Sequence, residues 1–239
     1  MPSYFSHFYK FNWIFILIKH ILEIDSVQKY FDQKLILSDV YLKCGTGDII
    51  GLLGRNGSGK STLLKIIFGI LKADNKFIRI DGNVKFKTSD LLTEISYLPQ
   101  ENFIPNSFSV KKVIQLSIEK QNTDDFYNDE MINSLKDKKI YHLSGGELRY
   151  LEIKLILSNP SKFVLLDEPY NGLSPIMMDK INQLIVQDSN KKGIIITDHN
   201  YENVIKVSDK LILMKDGKAF HLNNKKELIE KGYLKEGMI

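Results

Sequence analysis

The stretch GRNGSGKST, residues 54–62, constrains this chain more than any other. It sets Gly54, Gly59, Lys60 and Ser61 in the spacing G-x-x-x-x-G-K-[ST]. The apolar run DIIGLLG (48–54) reads as a strand that delivers the chain to a tight loop. Glycines in that loop let the backbone N–H groups of Arg55, Asn56, Gly57, Ser58 and Gly59 converge on phosphate oxygens. KSTLLKIIFGIL (60–71) has helical spacing, so the loop opens a helix through Ser61 and Thr62, and the helix dipole adds partial positive charge. In such a loop Lys60 reaches the β- and γ-phosphates and the Ser61 hydroxyl ligates Mg²⁺.

FVLLDEP (163–169) supplies the second piece. Four apolar residues carry a buried strand to Asp167 at the C-terminal edge of its sheet, where ligands of open α/β sheets bind. Asp167 is placed to hold Mg²⁺, directly or through water. Glu168, one residue further, is placed to orient and deprotonate an attacking water.

The rest of the chain supports an α/β reading. Strand character is predicted at 21–31, 38–43, 76–82, 95–100 and 193–199, with a hairpin over 210–222 turning at Asp216-Gly217. Helical character is predicted over most of 109–140, over 146–158 as a strongly amphipathic helix, and over about 176–189. Strands alternating with helices indicate a mostly parallel core sheet. The 239 residues, 43% apolar and 26% charged, can bury a sizeable core. The net charge of +4 suits an anionic ligand and is too weak to argue for nucleic acid. With Cys44 the only cysteine, no internal disulfide is possible.

Residues 8–22, FYKFNWIFILIKHIL, are apolar without interruption only from Trp13 to Ile18. A membrane-spanning helix needs about 20 mostly apolar residues. Residues 1–20 are therefore read as an N-terminal extension, with an interfacial or partner-docking segment as the alternatives, and residues 21–239 as the domain proper.

On these motifs the chain resembles the ATP-binding cassette family, and four further pieces occur in that family's order. Gln100 follows ISYLP as the family's glutamine loop does, LSGGE (143–147) matches its signature, NGLSP (171–175) falls at its dimer-contact loop, and His199 in ITDHN matches its switch histidine. The resemblance implies a P-loop NTPase cassette fold: a RecA-like core, an antiparallel β subdomain, and a small helical subdomain at about 101–158. It implies that Gln100 contacts Mg²⁺ and the water, and that His199 contacts the γ-phosphate. Tyr30 resembles the aromatic that stacks on adenine, with Phe31 as the alternative. Ser174 stands where the family often carries aspartate, so a contact through that carboxylate is not expected here.

Ser144 and Glu147 also form a local capping box, S-x-x-E, which explains those two residues and not the Gly145-Gly146 pair between them. In the family, two subunits close head to tail on two ATP molecules. Each nucleotide lies between Lys60 of one chain and Ser144, Gly145 and Gly146 of the other. The resemblance implies an ATP- and Mg²⁺-dependent ATPase that forms a homodimer or heterodimer of cassettes. It would drive a separate integral membrane permease from the cytoplasmic, inner face of the cell membrane and bind no nucleic acid. A soluble cassette such as an iron–sulfur cluster assembly ATPase is the alternative. The TDHN run and the Gly-Leu-Ser-Pro loop are most similar to cassettes of lipopolysaccharide export and branched-chain amino-acid import.

Overall fold

The computed structural model describes residues 19–238, so residues 1–18 of the N-terminal extension lie outside the described residues. Two sheets form the frame. The first is antiparallel, in the order β2-β1-β4-β5, from β1 (Ile21–Phe31), β2 (Lys34–Gly45), β4 (Asn75–Ile80) and β5 (Asn83–Val84). The second has the order β10-β9-β3-β8-β7-β6. In it β3 (Ile49–Leu53), β6 (Ile95–Leu98), β7 (Phe163–Asp167), β8 (Gly193–Thr197) and β9 (Lys210–Lys215) run parallel, and β10 (Lys218–Leu222) returns antiparallel at one edge.

The parallel strands are apolar without alternation because both their faces are covered. Ile50, Leu52, Leu165 and Ile195 point into one core, shared with Leu22, Ile24 and Val40 of the antiparallel sheet and Leu63 and Ile67 of α1 (Lys60–Phe68). Ile49, Leu53, Val164, Leu166 and Ile196 point into a second core. That core is closed by α6 (Gly145–Ser158), α7 (Pro175–Ser189) and α8 (Tyr201–Val207). Between β6 and α6 the chain makes short helices: α3 (Val110–Ser117), α4 (Thr123–Tyr127) and α5 (Glu130–Leu135). The remaining α-helices among the described residues are α2 (Thr88–Leu92) and α9 (Glu227–Glu230). Among the described residues, no helix is long and apolar enough to cross a membrane.

Two expectations about elements change. The second strand begins at Lys34, not at Ser38, after a two-residue turn at Asp32-Gln33. Asp39 has φ 51° and the pairing register shifts nearby, so Ser38-Asp39, the expected start of the strand, is an irregularity inside it. The helix at 145–158 is not amphipathic. Leu148, Arg149, Tyr150, Leu151, Glu152 and Ile153 are all buried in succession, because α7, β6 and the short helices surround it.

Candidate functional site

The C-terminal edge of the parallel sheet carries the site. β3 ends at Leu53 and Gly54 turns the chain with φ 151°. A Cβ there would lie 2.5 Å from the Met214 carbonyl oxygen and 2.6 Å from Ser58 Oγ, so only glycine fits. Gly59, at φ 97°, is the N-cap of α1, and a Cβ on it would strike Leu37 at 2.7 Å. Lys60 is the first residue of that helix and is buried. Its Nζ donates to the carbonyls of Gly54 at 2.7 Å and Arg55 at 3.3 Å. Burial lowers the Lys60 pKa, while Glu168, Asp167 and Asp198 oppose that shift. An ammonium held by two carbonyls at the rim of a cleft is ready for an anion.

Opposite the loop, β7 delivers Asp167. Ser61 Oγ donates to Asp167 Oδ1 at 2.8 Å and the Tyr97 hydroxyl donates to Oδ2 at 2.8 Å. Tyr97 comes from the neighbouring strand, so three elements set one carboxylate. Burial first, then the Asp167 charge, pushes the Tyr97 pKa up and keeps that hydroxyl a donor. Ser61 and Asp167 are hard oxygen donors in contact with each other, the donor chemistry that Mg²⁺ takes.

Glu168 has φ 49°, in the left-handed region that non-glycine residues seldom occupy. Its backbone is held from both sides: its N–H donates to the Thr197 carbonyl at 2.8 Å, and its carbonyl accepts from Arg149 Nη2 at 3.0 Å. The carboxylate meets Gln100 Nε2 at 2.7 Å and lies 3.5 Å from His199 Nδ1. Gln100, Glu168, His199, Lys60, Ser61 and Thr62 thus line one open cleft of about 550 Å³ with Asn56, Gly57 and Gly59. A second cleft of about 570 Å³ shares Asn56 and Gly57 with it. This one is bounded by Lys34, Leu35 and Ile36, by Arg55 and Ser58, and by the turn at Asp216-Gly217.

The signature residues are not part of either cleft. Ser144 caps α6 by accepting from the Glu147 N–H at 3.2 Å, and Glu147 Oε2 accepts from the Ser144 N–H at 2.7 Å, so the expected capping box is closed. A Cβ on Gly145 would meet nothing within 4 Å, and one on Gly146 would make only ordinary contact with Met177 and Leu173. Tyr30 and Phe31 line neither cleft, although Leu35, the cross-strand partner of Tyr30, lines the second. Both rings are exposed, and Lys29 Nζ sits 5.1 Å from the Phe31 ring centre.

Sequence reasoning missed Arg149. It is 3% exposed, and its guanidinium donates to the carbonyls of Pro99 (2.9 Å), Asp167 (3.1 Å) and Glu168 (3.0 Å), with Glu152 Oε2 at 3.4 Å. The helix that starts at the signature is thereby fastened to the segment before Gln100 and to the Asp167-Glu168 pair. A signal was present. Arginine occurs at only three positions in a lysine-rich chain, and its planar fork of five N–H donors is suited to holding several carbonyls on separate segments.

Comparison with known proteins follows the same lines. The family profile described as ABC transporter matches residues 37–171, more than half the chain. The chain belongs to the ABC transporter family. Within that family it is an ATP-binding, ATP-hydrolysing subunit. It is 31% identical to the lipopolysaccharide export system ATP-binding protein LptB of Escherichia coli (strain K12), over 88% of this chain and 93% of that one. The protein of the same name from Haemophilus influenzae is also 31% identical, over 83% and 88%. A solved ATP-binding cassette of an ABC transporter, MJ1267, superposes with a TM-score of 0.74 at 25% identity, covering 84% of this chain and 90% of that chain.

Proposed function

We propose that this ABC subunit hydrolyses ATP between two cassettes and uses the resulting opening to drive a separate integral membrane permease. The observation that carries the two-chain site is the start of α6. Its cap is satisfied locally, Gly145 faces open space, and no residue of 144–146 borders the cleft that holds Lys60. Nothing among the described residues calls for bare backbone there. A γ-phosphate held on a second chain's Lys60 does, because glycine lets the amide N–H groups at a helix N-terminus approach it closely.

The chain's own residues divide the work. The loop amides from Arg55 to Gly59 and Lys60 hold the β- and γ-phosphates. Glu168 takes a proton from the attacking water, Gln100 orients that water, and His199 and Lys60 face the charge that develops on the γ-phosphate. Ser61, Asp167 and Gln100 would hold Mg²⁺, which neutralises phosphate charge when bound. Adenine would stack at the end of β1, on Tyr30 or on Phe31. Once the γ-phosphate leaves, the contacts joining the two chains are lost and they separate.

Residues 21–239 would act as one cassette, with the helical lobe at about 101–158 facing the permease. The LptB relatives are named as subunits of an export system, which favours transport over the iron–sulfur assembly alternative. That reading puts the protein on the cytoplasmic face of the membrane, in a homodimer or heterodimer and with no role for nucleic acid.

Gly145→Asp tests the proposal. The variant should bind ATP at its own phosphate loop with unchanged affinity, remain monomeric with ATP by light scattering, and lose hydrolysis. Normal turnover by this variant would refute the two-chain site.

A further inference from the structure

The TDHN run contains a carboxylate that the hydrolytic scheme leaves without a role. Asp198 is fully buried, as are Glu152 and Asp167. Arg149 answers Glu152, while Ser61 and Tyr97 answer Asp167. Asp198 is answered by backbone. Its Oδ2 accepts from the Tyr170 N–H at 2.9 Å and its Oδ1 from the Asn200 N–H at 2.8 Å. These two amides belong to different loops. Tyr170 lies two residues beyond Glu168, and Asn200 lies one beyond His199, where it caps α8. The same Oδ1 lies 3.6 Å from His199 Nδ1, a nitrogen that also lies 3.5 Å from Glu168 Oε2. One edge of the exposed imidazole is therefore turned to two carboxylates.

We propose that Asp198 is a positioning residue for His199: it pins the histidine's loop to the loop following Glu168 and turns Nδ1 inward, leaving Nε2 for the γ-phosphate. Nδ1, 3.5 and 3.6 Å from two carboxylate oxygens, is placed to carry a proton, and the ring donates to a γ-phosphate oxygen through Nε2 only as the imidazolium, which is protonated on both nitrogens. A fully buried carboxylate persists only where its lone pairs are met, and here meeting them requires both loops in their observed positions. Asparagine cannot replace it without cost, since its amide NH₂ would face one of the two backbone N–H donors.

This inference rests on His199 acting in hydrolysis, and the experiment separates the two. Turnover and KM for ATP are measured for the full-length chain, for Asp198→Asn, for His199→Ala and for the double variant. Asp198→Asn should lower kcat roughly 10- to 100-fold, as expected of a misplaced reacting group, with KM changed by less than about twofold. In the His199→Ala background it should cost no more than about a further twofold. Loss in His199→Ala with normal kcat in Asp198→Asn would overturn the role of Asp198 alone, and fully additive losses would do the same. Normal turnover in His199→Ala would overturn both readings. Nitrogen-15 NMR of the unmutated protein gives an arm independent of any variant's folding. His199 should carry its proton on Nδ1, and a neutral ring protonated only on Nε2 would overturn the proposal.

Discussion

The phosphate cleft and the start of α6 are built on opposite plans. In the cleft nearly every polar group finds its partner within the chain: Lys60 on two carbonyls, Asp167 on Ser61 and Tyr97, Glu168 on Gln100. Two of its loop glycines are required by intrachain sterics, since Cβ atoms at Gly54 and Gly59 would collide with the protein itself, while Gly57 has open space around it and a φ of 78° that favours glycine. At the start of α6 the cap closes on itself and Gly145 has no steric reason to be glycine. A glycine explained by its own chain marks a packed backbone. A glycine left unexplained at a capped helix start marks a surface built for something that arrives.

The sharpest way to break that contrast is to remove chemistry from the self-contained side alone. Glu168→Gln keeps the shape of the cleft and the contact to Gln100 while deleting the base. It should leave ATP binding intact and lower turnover by about 10²–10⁴-fold, the usual contribution of a positioned general base. Because the open side is untouched, the variant should accumulate an ATP-bound dimer, visible as a doubled mass in gel filtration with ATP. A monomer under those conditions would mean that the α6 terminus does not close on a second nucleotide.

Most of the cleft was legible in the sequence because its residues are contiguous. Gly54 to Thr62 lie on the loop after β3 and the first turn of α1, and Phe163 to Glu168 on β7 and the residue after it, so local pattern and chemistry coincide. What stayed hidden depends on long-range approach. Tyr97 lies in a segment expected as a strand and Arg149 in one expected as an amphipathic helix, and only the neighbouring of β6, β7 and α6 puts them on Asp167 and Glu168. The amphipathic reading of α6 failed for the same reason. Its polar positions Arg149 and Glu152 count as solvent-facing in any periodic pattern, yet they pair with each other and with backbone in the interior. The irregularity at Ser38-Asp39 hid the true start of β2: the sequence places the strand only from Ser38 onward, while Lys34, Leu35 and Leu37 already pair with β1 on the other side of the register shift.

Arg149 is where the two regions meet, and its removal gives the next largest effect. Arg149→Met would leave the buried Glu152 carboxylate without its cation and free the carbonyls of Pro99, Asp167 and Glu168. Breaking one side of a buried pair typically costs about 3–5 kcal/mol. Denaturant unfolding should show a loss of that size, with a smaller one for Arg149→Lys, which keeps the charge without the fork. If the two variants lose equal stability, the carbonyl contacts matter and the charge does not. If neither loses any, Arg149 is not the fastening between α6 and the cleft.

The smallest effect concerns how the open terminus stands without a partner. The Glu147 pKa is held low, first by the Ser144 N–H and further by Lys138 at 3.0 Å, with burial opposing. Its folded value therefore lies below its unfolded value of about 4.3. A carboxylate depressed in this way contributes its full stabilisation above the unfolded value and loses it as pH falls through the folded one. Glu147→Gln keeps an acceptor in the capping box but no charge, so it isolates this term. At pH 6 the unmutated chain should be more stable by roughly 0.3–1 kcal/mol, the usual worth of an anion at a helix N-terminus. The difference should shrink toward zero as pH falls through the folded value, measured as paired unfolding midpoints so that other titrating groups cancel. A difference independent of pH would mean that the charge of Glu147 plays no part and that shape alone holds the α6 terminus ready. A difference that fades means its glycines are presented by a local electrostatic lock that every free subunit carries.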